Sequence, residues 1–446
     1  MQEKSLLKKT WHEYAPFICF FFVFLVYHLL IGPDVNDGVI FADYFQRYGL
    51  RGLPEYVRMR WQVWSGRLLI EPLFMVFSGI SYWAFKVVDL LFWCLLCLSF
   101  TRCFASRGED YGLSISWLSV LLILQYPLAP MNTAGWIATM INNIWSLTAG
   151  CYSILIMLRI RQGRHCSGWK LACALLACLF AASTEQMCIV MLSASLFCLL
   201  DALLQRNSWH VFVAFLFVSV LQLTVHAVSP GNTARFAVEI KTWFPEYAAF
   251  NLADRMYVGF VHVMNYYMGS LNPLAVIFFV SLGVAMTKRN SGLVMLFMAW
   301  LPLAIMLWQP VFARAYPELL KLFGALHTVT FSTGHFNQLY FAVCILFLIV
   351  SVADILLCTE NFRIGLLLLW IIATGFATAE MMGFSPTVYA SGDRTFIFSQ
   401  FAFAAGTLLL VKQKNMADYK HILLGSLSLL SLLSVADNIW YISRVR

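Results

Sequence analysis

The chain has 446 residues, of which 61% are hydrophobic and 12% charged, about half the charged share of a soluble globular protein, so no water-facing surface can solubilise it. Its formal net charge of +8 does not mark a nucleic-acid partner, because Lys and Arg fall mainly in short breaks between apolar runs, where they report topology. Nor do the twelve cysteines form a scaffold: Cys19, Cys94, Cys97, Cys173, Cys178, Cys188, Cys198 and Cys344 lie inside apolar runs, where Cys acts as a small hydrophobe.

The first apolar run, residues 14–31, follows Lys4, Lys8 and Lys9 and lacks a small-x-small cleavage site, so it reads as an uncleaved first span. By the positive-inside rule the basic leader stays cytoplasmic and residues 33–67 become the first extracytoplasmic loop. Two interfacial helices are expected there, near 39–48 and 54–64. Residues 68–77 are too short to span and contain Glu71 and Pro72, which predicts a third interfacial helix. The next span is expected near 83–104. The basic breaks 102–107, 159–170, 288–289 and 412–420 should be cytoplasmic, together with 205–210 and 359–363. The outer face then receives the stretches around 132–143, 183–186, 229–255, 309–334 and 383–394. Segments 256–268 and 319–334 are ambiguous between interfacial and spanning. The expectation is an all-α polytopic membrane protein of roughly 11–13 transmembrane helices, forming one domain over residues 1–446.

The chemistry-bearing residues cluster in the outer stretches. Asp34, Asp37 and Asp43 follow span 1, where a carboxylate can take a proton from an attacking hydroxyl while the partner's lipid tail stays in the bilayer. The plain alternative is structural: Asp34 follows Pro33 and Asp37 precedes Gly38, as turn formers or N-caps do. The loop closes on Trp61, Gln62, Val63, Trp64, Ser65, Gly66 and Arg67, where Arg67 is placed to meet a phosphate; an aromatic belt with a snorkelling arginine is the bland reading. Ser229, Pro230, Gly231, Asn232 and Arg235 suggest a Pro-Gly turn presenting an amide and a guanidinium, and Ser391, Gly392, Asp393 and Arg394 repeat the arrangement. Arginine suits phosphate because its planar fork offers paired donors. Residues 171–200 are long enough for two spans, with Glu185 near their outer hairpin as either a functional carboxylate or a solvated tip. His28, His226 and His262 lack metal-ligand spacing, and no phosphate-cradling loop or dinucleotide fingerprint is present.

In the order of these elements the chain resembles the polyprenyl-phosphate-dependent membrane glycosyltransferases of the GT-C superfamily, and within it the serotype-converting O-antigen glucosyltransferases and their uncharacterised bacterial relatives. The resemblance rests on Asp34 and Asp37, on Trp64 to Arg67, on Glu185, on Pro230 to Arg235 and on Arg394. It implies an inverting transfer of a hexose, glucose in those relatives, from polyprenyl phosphate to a lipid-linked or O-antigen glycan at the periplasmic face of a bacterial inner membrane. Asp37 or Asp34 is then the catalytic base, Arg67, Arg235 and Arg394 bind the donor phosphate, and Glu185, Asn232 and Trp64 contact substrate. The departure lies at the acid, where members often show two adjacent aspartates and Asn36 here precedes Asp37. No metal site and no cofactor are required, although a divalent cation is compatible. An O-antigen polymerase or ligase is the nearest alternative, expected to carry its essential groups in a late outer loop. A lipid-linked sugar flippase or transporter is the second, expected to show an inverted repeat and broken helices.

Overall fold

The computed structural model describes residues 2–105, 110–289, 292–312, 338–359 and 361–445. The stretch 319–334, and most of 309–334, therefore lie outside the described residues. Among the described residues every regular element is helical, and ten helices are long and apolar enough to cross a membrane, or eleven if the bent pair Leu252–Gly269 and Pro273–Arg289 counts as one span. The chain is an all-α, multi-pass membrane protein. Its residues group into two compact units, 1–238 with 427–446 and 239–426.

The first unit contains the candidate spans Glu13–Leu30, Tyr82–Phe104, Trp136–Arg161, Glu185–Leu204 and His210–Val228, with Ser114–Leu124 and Gly168–Ala181 as shorter apolar helices. Polar side chains buried in an apolar bundle must find partners, because lipid supplies none. Here they do. The His28 ring bridges the Phe24 carbonyl at 2.7 Å and the Asp89 carboxylate at 2.8 Å, while Trp145 Nε1 donates to the other Asp89 oxygen at 2.7 Å. That network ties three spans together at one depth. The C-terminal residues of the unit join it through Asn438, whose Oδ1 accepts from the Leu128 amide at 2.8 Å, and through Ser431, which accepts from Gln125 at 2.8 Å.

Between the first two spans lie three short helices, Asp37–Tyr48, Leu53–Val63 and Glu71–Gly79, none long enough to cross a bilayer. They follow the sequence expectation within three residues at each end. The third is locked to the second by a buried ion pair, Arg60 to Glu71 at 2.8 Å with side-chain exposures of 9% and 3%. Tyr56 donates to the same carboxylate, and Phe41, Tyr44 and Trp64 face the guanidinium. Burial works against the Arg60 charge, but Glu71 more than offsets it, so the guanidinium holds its proton more firmly than usual.

The second unit contains the bent pair, broken by 79°, and the spans Leu293–Val311, Gln338–Leu357, Phe362–Phe384 and Asp393–Val411. Its interior is aromatic: Tyr266 stacks on Phe396 with centroids 3.6 Å apart, and Tyr267, Phe278 and Phe279 pack around Phe403.

Candidate functional site

The first unit gathers four stretches that are far apart in sequence. The first-loop helix Leu53–Val63 ends at Trp64, and the chain then turns through Ser65 and Gly66 to Arg67. Where the sequence suggested a Pro-Gly turn, the structure instead starts the helix Pro230–Trp243 at Pro230. Proline is favoured in the first turn of a helix, since its missing N–H is unneeded there. Gly231 then permits a close approach: a Cβ at this position would lie 2.6 Å from both the Trp61 carbonyl oxygen and the Trp64 amide nitrogen. The Asn232 amide staples the contact, its Oδ1 accepting from the Gly66 N–H at 3.1 Å while its Nδ2 donates to the His226 carbonyl at 2.8 Å. Both ends of that amide are thus spent on backbone.

So fixed, Arg67 reaches Glu185 across 118 residues of sequence. Its Nε lies 3.0 Å from Oε2, its Nη2 2.8 Å from the same oxygen, and its Nη1 donates to Asn142 Oδ1 at 3.2 Å. The pair is partly open, with side-chain exposures of 20% and 29%. Glu185 sits in the first turn of its helix, where a carboxylate is favoured by the helix dipole. His226 lies beside it, Nδ1 3.9 Å from Oε1, with Nε2 3.2 Å from the Ala182 carbonyl. The Arg235 guanidinium lies 5.8 Å from the Trp64 ring centroid, on an indole that Arg60 also faces at 5.3 Å, and its charge reaches Glu185.

The two candidate bases part company. Asp34 is inserted at the start of the Trp136–Arg161 span: its Oδ1 accepts from the Trp136 amide at 2.6 Å and its Oδ2 from the Ile137 amide at 3.4 Å. Gly135 (φ 91°) allows that approach, because a Cβ there would meet the Val35 carbonyl and Asp34 itself. Burial pushes the Asp34 carboxyl up to about 6 against the lowering effect of those amides. Asp37 stands exposed in the first turn of its helix, after Asn36 with φ 53°. Asn36 ties this corner to the turn just before that span by donating to the Thr133 carbonyl at 3.3 Å. Asp43 forms an exposed pair with Arg47 at 2.6 Å. The Trp136–Arg161 span thus touches both parts of the site: Asp34 at its N-terminus and Arg67 at Asn142, six residues further along, roughly 9 Å of helix.

Arg394 belongs to the second unit, in a short 3-10 turn, Asp393–Phe396, that follows Gly392 (φ 65°) and leads into Ile397–Val411. Asn142 and the Arg60–Glu71 pair were not anticipated, and His226, expected only as a histidine without metal-ligand spacing, stands beside Glu185. A signal existed for the first: Asn142 and Asn143 are adjacent amides in an apolar stretch, where polar groups need a reason. Among the described residues, no three His, Cys, Asp or Glu side chains gather as a metal centre. No family model, no curated protein and no solved structure matches the chain.

Proposed function

We propose that this chain is an inverting membrane glycosyltransferase, moving a hexose from polyprenyl phosphate to a glycan acceptor at the extracytoplasmic face of a bacterial inner membrane. The observation that carries the reading is the meeting of the Trp64 to Arg67 string, Asn142, Glu185 and the Pro230 helix in one partly open cluster rich in arginine. In the proposed reaction the acceptor hydroxyl attacks the anomeric carbon and the bond from that carbon to the phosphate oxygen breaks. The hydroxyl proton passes to Asp37, and the phosphate departs with the electron pair. Arg67 and Arg235 stabilise the added negative charge, which is where fixed donors act most strongly. Asp34 then serves as the anchor that holds the first loop on the Trp136 helix, because both its oxygens are engaged by backbone amides. Arg394, the third arginine of the resemblance, lies in the other unit and keeps its role as an expectation from sequence.

Deleting the gene and analysing surface polysaccharide by mass spectrometry tests the reading. Loss of a side-branch hexose with chain length unchanged supports it. Shortened or unattached chains point to a polymerase or ligase, and accumulation of lipid-linked sugar with no change in branching points to a flippase. Reporter fusions give the orientation: Arg164 and Lys288 should read cytoplasmic, Asp43 and Asn232 extracytoplasmic. The opposite signal at Asp43 removes the mechanism.

A further inference from the structure

The buried face of the Gln338–Leu357 helix carries Tyr340, Cys344, Phe347, Ser351 and Asp354, spaced three or four residues apart so that they stack on one side. Asp354 is 0% exposed, and neither of its carboxyl oxygens has a hydrogen-bond partner; the Ser351 hydroxyl, three residues earlier, is likewise unpartnered. The other deeply buried carboxylates differ. Asp89 is held by His28 and Trp145, and Glu71 by Arg60 and Tyr56. An isolated ionised carboxylate sealed from water is far costlier than its uncharged acid, and an ionisable group inside a membrane span is a functional candidate by default.

Among the described residues no side chain pairs with this carboxyl, and the buried thiol of Cys358 lies one turn further along. Leu293–Leu307 has no charged residue, Pro273–Arg289 ends in the exposed Lys288 and Arg289, and Phe362–Glu380 has the exposed Arg363 near its start and Glu380 at its far end. A metal cation needs several oxygen ligands, whereas Ser351 and Asp354 supply few, and a proton needs one acceptor. Asp354 also lies three residues from the end of its span, roughly 5 Å along the axis, so a proton has a short way to the membrane edge.

We propose that Asp354 is a proton-binding site within the membrane: its carboxyl, sealed from water and without a partner, carries the proton as the uncharged acid. The inference is independent of the transfer reaction. Infrared difference spectroscopy of the full chain at neutral pH tests it, subtracting Asp354→Asn from the unsubstituted protein. The expected result is the carbonyl stretch of a protonated carboxylic acid, present in the parent and missing in the variant, with a slow deuterium shift after transfer to heavy water. Carboxylate stretches in that difference instead would overturn the proposal. If the Asn variant does not fold, Asp354→Leu provides the same subtraction; it is expected to fold, because the parent side chain has no hydrogen bond to lose.

Discussion

The two units solve the same problem, holding loops against membrane helices, by different means. In the first, the fastenings are directional and charged: Arg60 on Glu71, Arg67 on Glu185 and Asn142, Asp34 on two amides, Asn232 on Gly66. In the second, flat rings carry the packing, with Tyr266 on Phe396 and the Phe403 cluster, and the amides of Gln400 and Asn272 donate to the Tyr266 hydroxyl. Rings pack with tolerance for small shifts, whereas a bidentate guanidinium fixes position and angle together. The difference teaches where chemistry is to be sought, since a reacting group must be held to a fraction of an ångström.

The comparison breaks most sharply at Asp37. Asp37→Asn in the first unit should lower transfer by about a hundred- to ten-thousand-fold with folding and donor binding kept, measured with purified protein, a polyprenyl-phosphate hexose and acceptor. A fully active Asp37→Asn beside a dead Asp34→Asn moves the base to Asp34; full activity in both and in the double variant removes the first loop from catalysis. Next in size is Arg60→Ala, which strands a buried Glu71 charge and should cost about 3–5 kcal/mol, read as a fall in melting temperature. Arg67→Ala should cost less stability, because its pair is partly solvated, but should weaken donor binding, with Lys restoring only part of it. Donor affinity that survives Arg67→Ala returns this arginine to a structural role.

How much of this was legible in the sequence depends on whether a feature is local. Apolar run length placed the span at Tyr82–Phe104 to within a residue, and Pro54 marked the first turn of one short helix, while the helix expected from residue 68 starts only at Glu71, with Pro72 in its first turn. The same reasoning misjudged Pro230, because Pro-Gly serves a turn and a helix start equally well until the partner backbone at Trp61 is known. Glu185 and Arg67 were each singled out, yet nothing in either segment says that the two pair, since a contact across 118 residues leaves no periodic trace. Asn142 escaped for another reason: the stretch 132–143 was expected as an outer loop, whereas the structure runs Trp136–Arg161 as one candidate span, and only the guanidinium that meets Asn142 reveals its use.

Smaller effects sharpen the contrast. Asn232→Ala loses two hydrogen bonds to backbone and should cost about 1–3 kcal/mol, with donor binding weakened because Gly66 and hence Arg67 are released. Tyr266→Phe should cost a similar amount by orphaning two amides, with donor binding unchanged; if it moved donor binding as much as Asn232→Ala does, the assignment of chemistry to the first unit would fall. The gentlest probe is pH. Asp34 is raised to about 6 from 3.8 by burial, so between those values the folded chain holds a proton that the unfolded chain has lost. Stability should therefore be greatest below about pH 4 as far as this group is concerned and decline as pH rises through 6. Thermal melts of the parent against Asp34→Asn should show that slope in the parent alone.

The Trp136–Arg161 span is not a regular helix throughout: residues Met140–Trp145 form a π-helical turn, wider than its neighbours. Within that turn Asn142 meets Arg67 and Trp145 meets Asp89. Such turns commonly arise as one-residue insertions into an α-helix. Removing a single residue here would relax the backbone to ordinary α geometry and leave the span long enough for the bilayer, yet swing everything on one side of it by most of a third of a turn. The chain would keep its membrane topology and lose the alignment of either the loop arginine or the intramembrane aspartate. This stretch is therefore a place where length, more than residue identity, is under constraint.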